Sequence, residues 1–120
     1  MVQHYRQLIA WQKAIDMVVN AYHLTSRFPR EELYGLTSQL RRAAVSVPSN
    51  IAEGSGRRTP GEFVHFLGNS YGSLCELETH VIIAGRLTYL PTAEVQGFLD
   101  QTAEVGRITN GLISSLTTDH

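Results

Sequence analysis

The chain has 120 residues, of which 42% are hydrophobic and 18% charged, and its formal net charge is −1 at pH 7. This composition excludes a disordered chain, and the length fits a single domain over residues 1–120 with one sizeable core. The densest apolar patch, residues 81–84, is far shorter than the roughly 20 residues that span a bilayer, and one cysteine permits no internal disulfide, so we expect a cytoplasmic protein without a membrane partner.

The small net charge hides an asymmetry along the chain. Residues 27–58 hold six arginines against three glutamates, a net of +3, whereas residues 59–120 hold two arginines against seven acidic residues, a net of −5. A chain built for non-specific binding to nucleic acid is usually more basic overall. Any contact with phosphates is therefore expected in the basic segment.

Two amphipathic helices are predicted before residue 60. The first helix carries large apolar residues at spacings of three and four, which define one helix face. These residues are Leu8, Trp11, Ile15, Val18, Val19 and Tyr22. The second helix begins between Glu31 and Leu36 and runs to about Gly54, because Gly54 and Gly56 accept the left-handed conformation at a helix end.

Pro48 lies inside the second helix. Its missing N–H removes the hydrogen bond to the carbonyl of Ala44, which predicts a kink at that point. The alternative is two shorter helices divided near Ser46. We prefer one kinked helix, because its apolar and polar stripes keep their phase across the proline.

Two further helices follow after short connections. Thr59-Pro60-Gly61-Glu62 combines a threonine cap, proline at the first helical position and glutamate at the third, which is a capping box. The helical period then continues from Phe63 to Ala84 and, after Pro91, from Val95 to Leu116. Short connections between long helices favour antiparallel neighbours. The predicted fold is therefore all-α, an antiparallel up-down-up-down four-helix bundle.

A polar stripe accompanies the apolar stripe of the second helix. On the third helix, Glu78 falls in the core-facing sector, where a buried carboxylate needs a partner. Arg42 is the best candidate for that partner. We expect a structural network that fixes helix register, with a ligand-binding or catalytic role as the alternative. Its members are Arg42, Ser46, Asn50, Glu53 and Glu78.

Glu76 and His80 fall on a different side of the third helix, near Gly72, Ile83 and Leu87. This side is either a solvated surface or a contact with another subunit. The two interpretations are equally supported by the pattern.

The patterns of cofactor and catalytic sites are incomplete. Glu62-x-x-His65 is one Glu-x-x-His pair, whereas a di-iron bundle needs two. The segment from Gly54 to Arg58 lacks the ending of a phosphate-binding loop and follows no strand. Cys75 has no neighbouring histidine, so a buried thiol is the default. We expect no enzyme activity, no cofactor, no metal and no small-molecule substrate.

Several blocks of the sequence resemble a bacterial protein family. The two longest blocks are residues 32–43 and 46–54, which read ELYGLTSQLRRA and SVPSNIAEG. Shorter blocks are Trp11-Gln12-Lys13-Ala14, Phe28-Pro29, Gly72-Ser73-Leu74 and Glu76-Leu77-Glu78. Together they resemble the four helix bundle protein family, also known as intervening-sequence proteins of large-subunit ribosomal RNA, over nearly the whole chain.

The resemblance implies an up-and-down bundle that assembles into a closed homopentamer. It also implies an RNA-linked role, because some members are encoded inside ribosomal RNA intervening sequences. Related accessory proteins of diversity-generating retroelements bind a reverse transcriptase and nucleic acid through a basic pentamer surface. This chain departs from them in its slight acidity, and the family has no catalytic residues to carry over.

Two functional hypotheses follow. The first is a non-enzymatic homo-oligomeric scaffold or adaptor, a pentamer by resemblance, that binds RNA or an RNA-handling protein. Arg41, Arg57 and Arg58 would meet the phosphates or the partner, and Glu76 and His80 would lie at the subunit interface. The second is a protein–protein interaction module with no nucleic-acid binding.

Overall fold

The computed structural model describes residues 4–117, which form four long α-helices and two short 3-10 turns. The helices are α1 (Ile9–Thr25), α2 (Leu36–Ser55), α3 (Pro60–Arg86) and α4 (Thr92–Thr117). The 3-10 turns cover Tyr5–Gln7 and Arg30–Glu32, and no strand occurs in this part of the chain. The prediction of an all-α four-helix bundle is confirmed, and the bundle measures 48 × 24 × 20 Å.

In each pair of neighbouring helices, residues later in one helix contact residues earlier in the other. On α2, Ser46 meets Ser73, whereas the later residue Gly54 meets the earlier Phe66 of α3. The same reversed order holds for α3 with α4 and for α1 with α4. The pairs are Gly85–Val95, Leu74–Gly106, Arg27–Glu94, Asn20–Gln101 and Lys13–Glu104.

The second helix is continuous through Pro48, so the alternative of two shorter helices is wrong. Pro48 is buried, and Ala44, which stands four residues earlier, is also buried and small. A small residue at this position reduces the clash with the proline ring. The kink itself stays a prediction.

The buried face of α1 differs from the predicted one. Val19 and Tyr22 of the predicted stripe are 52% and 42% exposed. The helix instead buries a neighbouring stripe that has the same three-and-four spacing and in which three of the five side chains are alanine. Its residues are Ala10, Ala14, Met17, Ala21 and Leu24. Alanine lets the axis of α1 approach the core closely, so the larger residues beside it are left at the edge.

Gly54 has a packing role rather than the predicted role as a helix terminator. It is buried inside α2, and no glycine between residues 4 and 117 has a positive φ. A Cβ at Gly54 would lie 2.6 Å from Phe66 Cβ and 3.0 Å from Phe63 Cδ1. The absence of a side chain is therefore what allows α2 and α3 to cross at this distance.

We expect Gly54→Ala to lower the free energy of unfolding by about 1–3 kcal/mol, because the added methyl group must displace Phe66 or the backbone. Gly97→Ala is the matched control. Gly97 is exposed within α4 and has nothing within 4 Å of its Cβ position, so alanine should raise the stability by about 0.5–1 kcal/mol. Urea denaturation of both variants measures the difference, and equal effects would refute the packing role.

The end of α3 has the hydrogen bonds of a Schellman motif. The N–H of Tyr89 donates to the carbonyl of Ala84 at 2.9 Å, and the N–H of Thr88 donates to that of Gly85 at 3.0 Å. The motif requires a left-handed backbone conformation at the residue that donates the second of these hydrogen bonds. Thr88 adopts it with a φ of 62°, which is unfavourable for a β-branched residue.

We expect Thr88→Gly to raise the free energy of unfolding by about 0.5–1 kcal/mol, because glycine adopts this conformation without the Cβ penalty. Thr88→Ala is the control, since alanine keeps the Cβ. Thermal unfolding of the two variants should show a higher midpoint for the glycine variant alone. A lower midpoint for Thr88→Gly would show that the threonine side chain contributes more than its backbone strain costs.

Candidate functional site

The polar stripe of α2 does not form one network. Its centre is a cluster at the surface between α2 and α3, where the hydroxyl groups of Ser46 and Ser73 are 2.7 Å apart. Asn50 Nδ2 donates to Ser46 Oγ at 3.0 Å and to the Ser46 carbonyl at 2.9 Å. All three side chains are half-buried. This cluster joins two helices, as expected of a structural role.

The predicted pair of Arg42 and Glu78 does not form within the chain. Glu78 points toward α4 and accepts a hydrogen bond from Thr102 Oγ1 at 2.5 Å. Arg42 is exposed and has no hydrogen bond or ion pair with any residue from 4 to 117. The helical period placed Glu78 near the core but could not tell which neighbouring helix it faces.

Glu53 also lies outside the cluster. It forms an ion pair with Arg57 one turn later on the same surface, at 2.8 Å. Both side chains are about half exposed, so the pair contributes little to stability. The five residues of the predicted network are thus divided among four separate places: Ser46 with Asn50, Glu53 with Arg57, Glu78 with Thr102, and Arg42 alone.

The three arginines predicted to meet phosphates lie in different surroundings. Arg41 Nε donates to Thr25 Oγ1 at 2.8 Å, and its guanidinium lies 4.5 Å from the ring centre of Tyr22. Arg41 therefore joins α2 to α1. The part of α2 beyond Arg41 is roughly 20 Å long, so Arg41 is too far from Arg57 and Arg58 to share one phosphate group with them.

The loop between α2 and α3 holds the other two arginines. Arg57 pairs with Glu53 and lies 4.6 Å from the ring centre of Phe66. The side chain of Arg58 is exposed and has no partner within residues 4–117. Arg58 is therefore the more available of the two for an external phosphate.

An open groove of about 640 Å³ lies over the outer side of α1 and α2. We call it the α1–α2 groove. Its most exposed aromatic side chain is Tyr34, at 92%. Its main lining residues are Tyr22, Leu33, Tyr34, Arg41, Arg42 and Val45. Sequence reasoning missed this groove, because helix period cannot place Leu33 and Tyr34 of the connecting segment beside a helix face.

A second groove, of about 240 Å³, lies between α3 and α4 on the outer side of the bundle. We call it the α3–α4 groove. Its lining includes Tyr71, Cys75, Glu78, Thr102, Gly106 and Arg107. Cys75 is exposed here, so the expectation of a buried thiol is wrong.

Glu76 and His80 lie together on α3, as their spacing predicted. His80 is buried, with Nε2 3.4 Å from Glu76 Oε2, while its Nδ1 is buried and has no hydrogen-bond partner in the described part of the chain. Ile83 and Leu87 on the same side are 41% and 48% exposed. Ile83 and Leu87 thus form an exposed apolar patch on this side of α3.

One well-connected carboxylate was not predicted. Glu32 Oε1 accepts from the N–H of Leu36 at 3.0 Å and thereby caps α2, while Oε2 accepts from the hydroxyl group of Tyr89 at 2.8 Å. Both hydrogen bonds lower the pKa of Glu32, and the bond from the Leu36 N–H has the larger effect. The hydrogen bond with Glu32 in turn raises the pKa of Tyr89. Glu32 thus ties the start of α2 to the loop between α3 and α4.

We expect Glu32→Gln to flatten the acid side of the stability profile. A carboxylate whose pKa is lowered by folding stabilises the protein above its ordinary value of 4.5, and this stabilisation is lost as the pH falls through the lower folded value. Urea midpoints between pH 7 and pH 3 measure the effect. Glu31→Gln is the control, because Glu31 is exposed and has no hydrogen bond or ion pair within residues 4–117. Parallel profiles for wild type and Glu32→Gln would contradict the capping role.

The capping box at the start of α3 is confirmed. Thr59 Oγ1 accepts from the N–H of Glu62 at 3.1 Å, and Glu62 Oε1 accepts from the N–H of Thr59 at 3.3 Å. Glu62 is therefore engaged with the backbone. Among residues 4–117, no three His, Cys, Asp or Glu side chains are grouped closely enough to hold a metal ion. The described helices also include none that is both long and apolar enough to cross a membrane.

Comparison with known proteins places the chain in a family. Residues 6–111 match the family described as 23S rRNA-intervening sequence protein. The chain belongs to this family. The resemblance predicted from the sequence blocks is thus confirmed, whereas no curated protein matches the chain.

The fold is shared with a solved structure. A protein of unknown function from the S23 ribosomal protein family of Bacteroides thetaiotaomicron aligns with a TM-score of 0.80. The alignment covers 92% of this chain and 100% of that one, at 19% sequence identity. At this identity the likeness establishes the four-helix fold alone. Neither the family nor this neighbour indicates an enzymatic activity.

Proposed function

We propose that this member of the 23S rRNA-intervening sequence protein family is a non-enzymatic, homo-oligomeric scaffold or adaptor that binds RNA or an RNA-handling protein. The observation that carries the proposal is the exposed apolar side of α3. There the buried Nδ1 of His80 has no partner among residues 4–117, and Ile83 and Leu87 are exposed beside it. A second subunit would cover the exposed apolar side chains of Ile83 and Leu87.

The arrangement of exposed residues supports assembly further. The α1–α2 groove combines the exposed side chains of Leu33, Tyr34 and Val45 with an arginine that has no described partner, Arg42. Tyrosine and arginine beside aliphatic side chains are typical of the centres of protein interfaces. The number of five subunits rests on the family resemblance.

The RNA-linked part of the proposal rests on the family and on the loop between α2 and α3. Arg58 extends from this loop without a described partner, and Arg57 beside it stacks on Phe66. In a closed ring the same loop would occur once in every subunit. Repetition multiplies weak contacts with phosphates into useful affinity.

The absence of catalytic chemistry is part of the proposal. Ser46 and Asn50 of α2 are engaged with each other and with Ser73 of α3, and the α1–α2 groove is an open surface rather than an enclosed pocket. An enzyme site usually encloses most of its substrate. We also propose a cytoplasmic location, which suits a chain whose one cysteine is an exposed thiol.

Binding to a structured fragment of 23S ribosomal RNA across a salt series tests the RNA role. We expect the logarithm of the binding constant to fall linearly with the logarithm of the salt concentration, because each phosphate contact releases counterions. Arg58→Ala should reduce the slope by about 0.7–0.9 for each subunit that contacts the RNA. Arg86→Ala is the control, since Arg86 is also exposed but lies at the opposite end of α3.

The outcomes separate the two functional hypotheses. Salt-dependent binding that Arg58→Ala weakens and Arg86→Ala leaves unchanged supports the RNA-binding scaffold. An oligomer that binds no RNA even at low salt supports the second candidate, a protein–protein interaction module, which the exposed apolar grooves favour. A protein that remains monomeric up to high concentration would contradict both forms of the proposal.

A further inference from the structure

We propose that Arg42 of one copy of the chain binds the Glu78 carboxylate of a second copy, in the α3–α4 groove. This inference rests on the proposed homo-oligomer and identifies two surfaces that join its subunits. Arg42 and Glu78 were expected to pair within one chain and do not. We assign their pairing to a contact between copies.

Glu78 lacks a charged partner in its own chain. Its side chain is half-buried, and the hydrogen bond that it accepts from Thr102 occupies one of the several positions at which a carboxylate accepts. Arg107 lines the same groove, yet no ion pair joins it to Glu78 within residues 4–117. A partly desolvated carboxylate with free acceptor positions is complementary to a guanidinium group, which donates two parallel hydrogen bonds.

Arg42 likewise lacks a charged partner among residues 4–117. It is exposed on α2 without a partner in the described chain, and it lies in the α1–α2 groove beside Leu33, Tyr34 and Val45. The apolar surroundings of Glu78 are Tyr71 and Leu74 of α3. Contact between the two grooves would therefore bury apolar side chains around one ion pair, the arrangement in which a charge pair is best shielded from water.

The two surfaces belong to different parts of the molecule. Arg42 is on α2, whereas the groove that holds Glu78 is formed by α3 and α4. A contact between unlike surfaces is heterologous, so each copy gives its Arg42 to one neighbour and receives another copy's arginine at its own Glu78. Such contacts close into a ring when the rotation between copies permits it.

The charge pair is tested by a double-mutant cycle on the association of subunits. Sedimentation equilibrium would give the association constants of wild type, Arg42→Gln, Glu78→Gln and the double variant. Glutamine keeps the size of the glutamate and an acceptor for Thr102, so Glu78→Gln should fold, which circular dichroism and thermal unfolding check. We expect each single variant to weaken association at least about tenfold and the double variant to weaken it little further. Arg86→Gln is the control for a general loss of charge.

Cysteine cross-linking tests which surfaces meet. Val45 lies one turn from Arg42, and the native Cys75 lies one turn from Glu78, so Val45→Cys places a thiol near the Cys75 of the neighbouring copy. Mild oxidation of the assembled variant should give a ladder of covalent species larger than dimers on a non-reducing gel. Wild type has a single cysteine and cannot form chains longer than dimers. Only dimers, or no cross-link in an intact oligomer, would overturn the heterologous contact.

The results distinguish this inference from the proposed function. If wild type is oligomeric and the glutamine variants associate as tightly as wild type, the pairing of Arg42 with Glu78 is wrong while the scaffold stands. Additive losses in the cycle would also show that the two residues act at separate places. A wild-type protein that is monomeric at all concentrations would overturn both.

Discussion

The close contact of α2 with α3 is the constraint on which the rest of the bundle depends. Gly54 brings the two backbones together against Phe66, and the Ser70 hydroxyl donates to the carbonyl of Val47 at 2.9 Å in the buried interface. Ser46 and Ser73 close the outer side of the same interface. Because three polar and steric conditions must be met at once, the register between these helices has little freedom, and α1 and α4 pack on a pair that is already aligned.

Two charged residues, Arg42 and Glu78, take no part in this contact. Arg42 is exposed in the α1–α2 groove and makes no hydrogen bond within residues 4–117. On the other flank of α3, Glu78 faces α4, where Thr102 supplies a hydroxyl group but no charge. Both charged groups thus reach the surface of grooves that apolar side chains border.

The sequence predicted the fold and the capping box because each depends on local spacing. Leu40, Val47 and Ile51 follow the period of one helix face, and all are buried. The same rule failed for α1, which has two adjacent stripes of equal spacing, since only the packing distance selects the stripe of alanines. It also failed for Glu78, because spacing gives the direction of a side chain on its own helix and not the identity of the helix opposite. Thr88 could not be predicted, since its strained conformation follows from the connection between α3 and α4 and not from its residue type.

The residues that sequence reasoning paired wrongly are informative about assembly. A half-buried carboxylate loses part of its hydration, and a hydroxyl group returns less of that loss than a guanidinium group does. Neither Glu78 nor Arg42 has a charged partner among residues 4–117. In the ring that we propose, each of these groups meets the other at the surface of a neighbouring copy. These two charged groups, which lack a charged partner within the described chain, are therefore the ones that the proposed contact between subunits would pair.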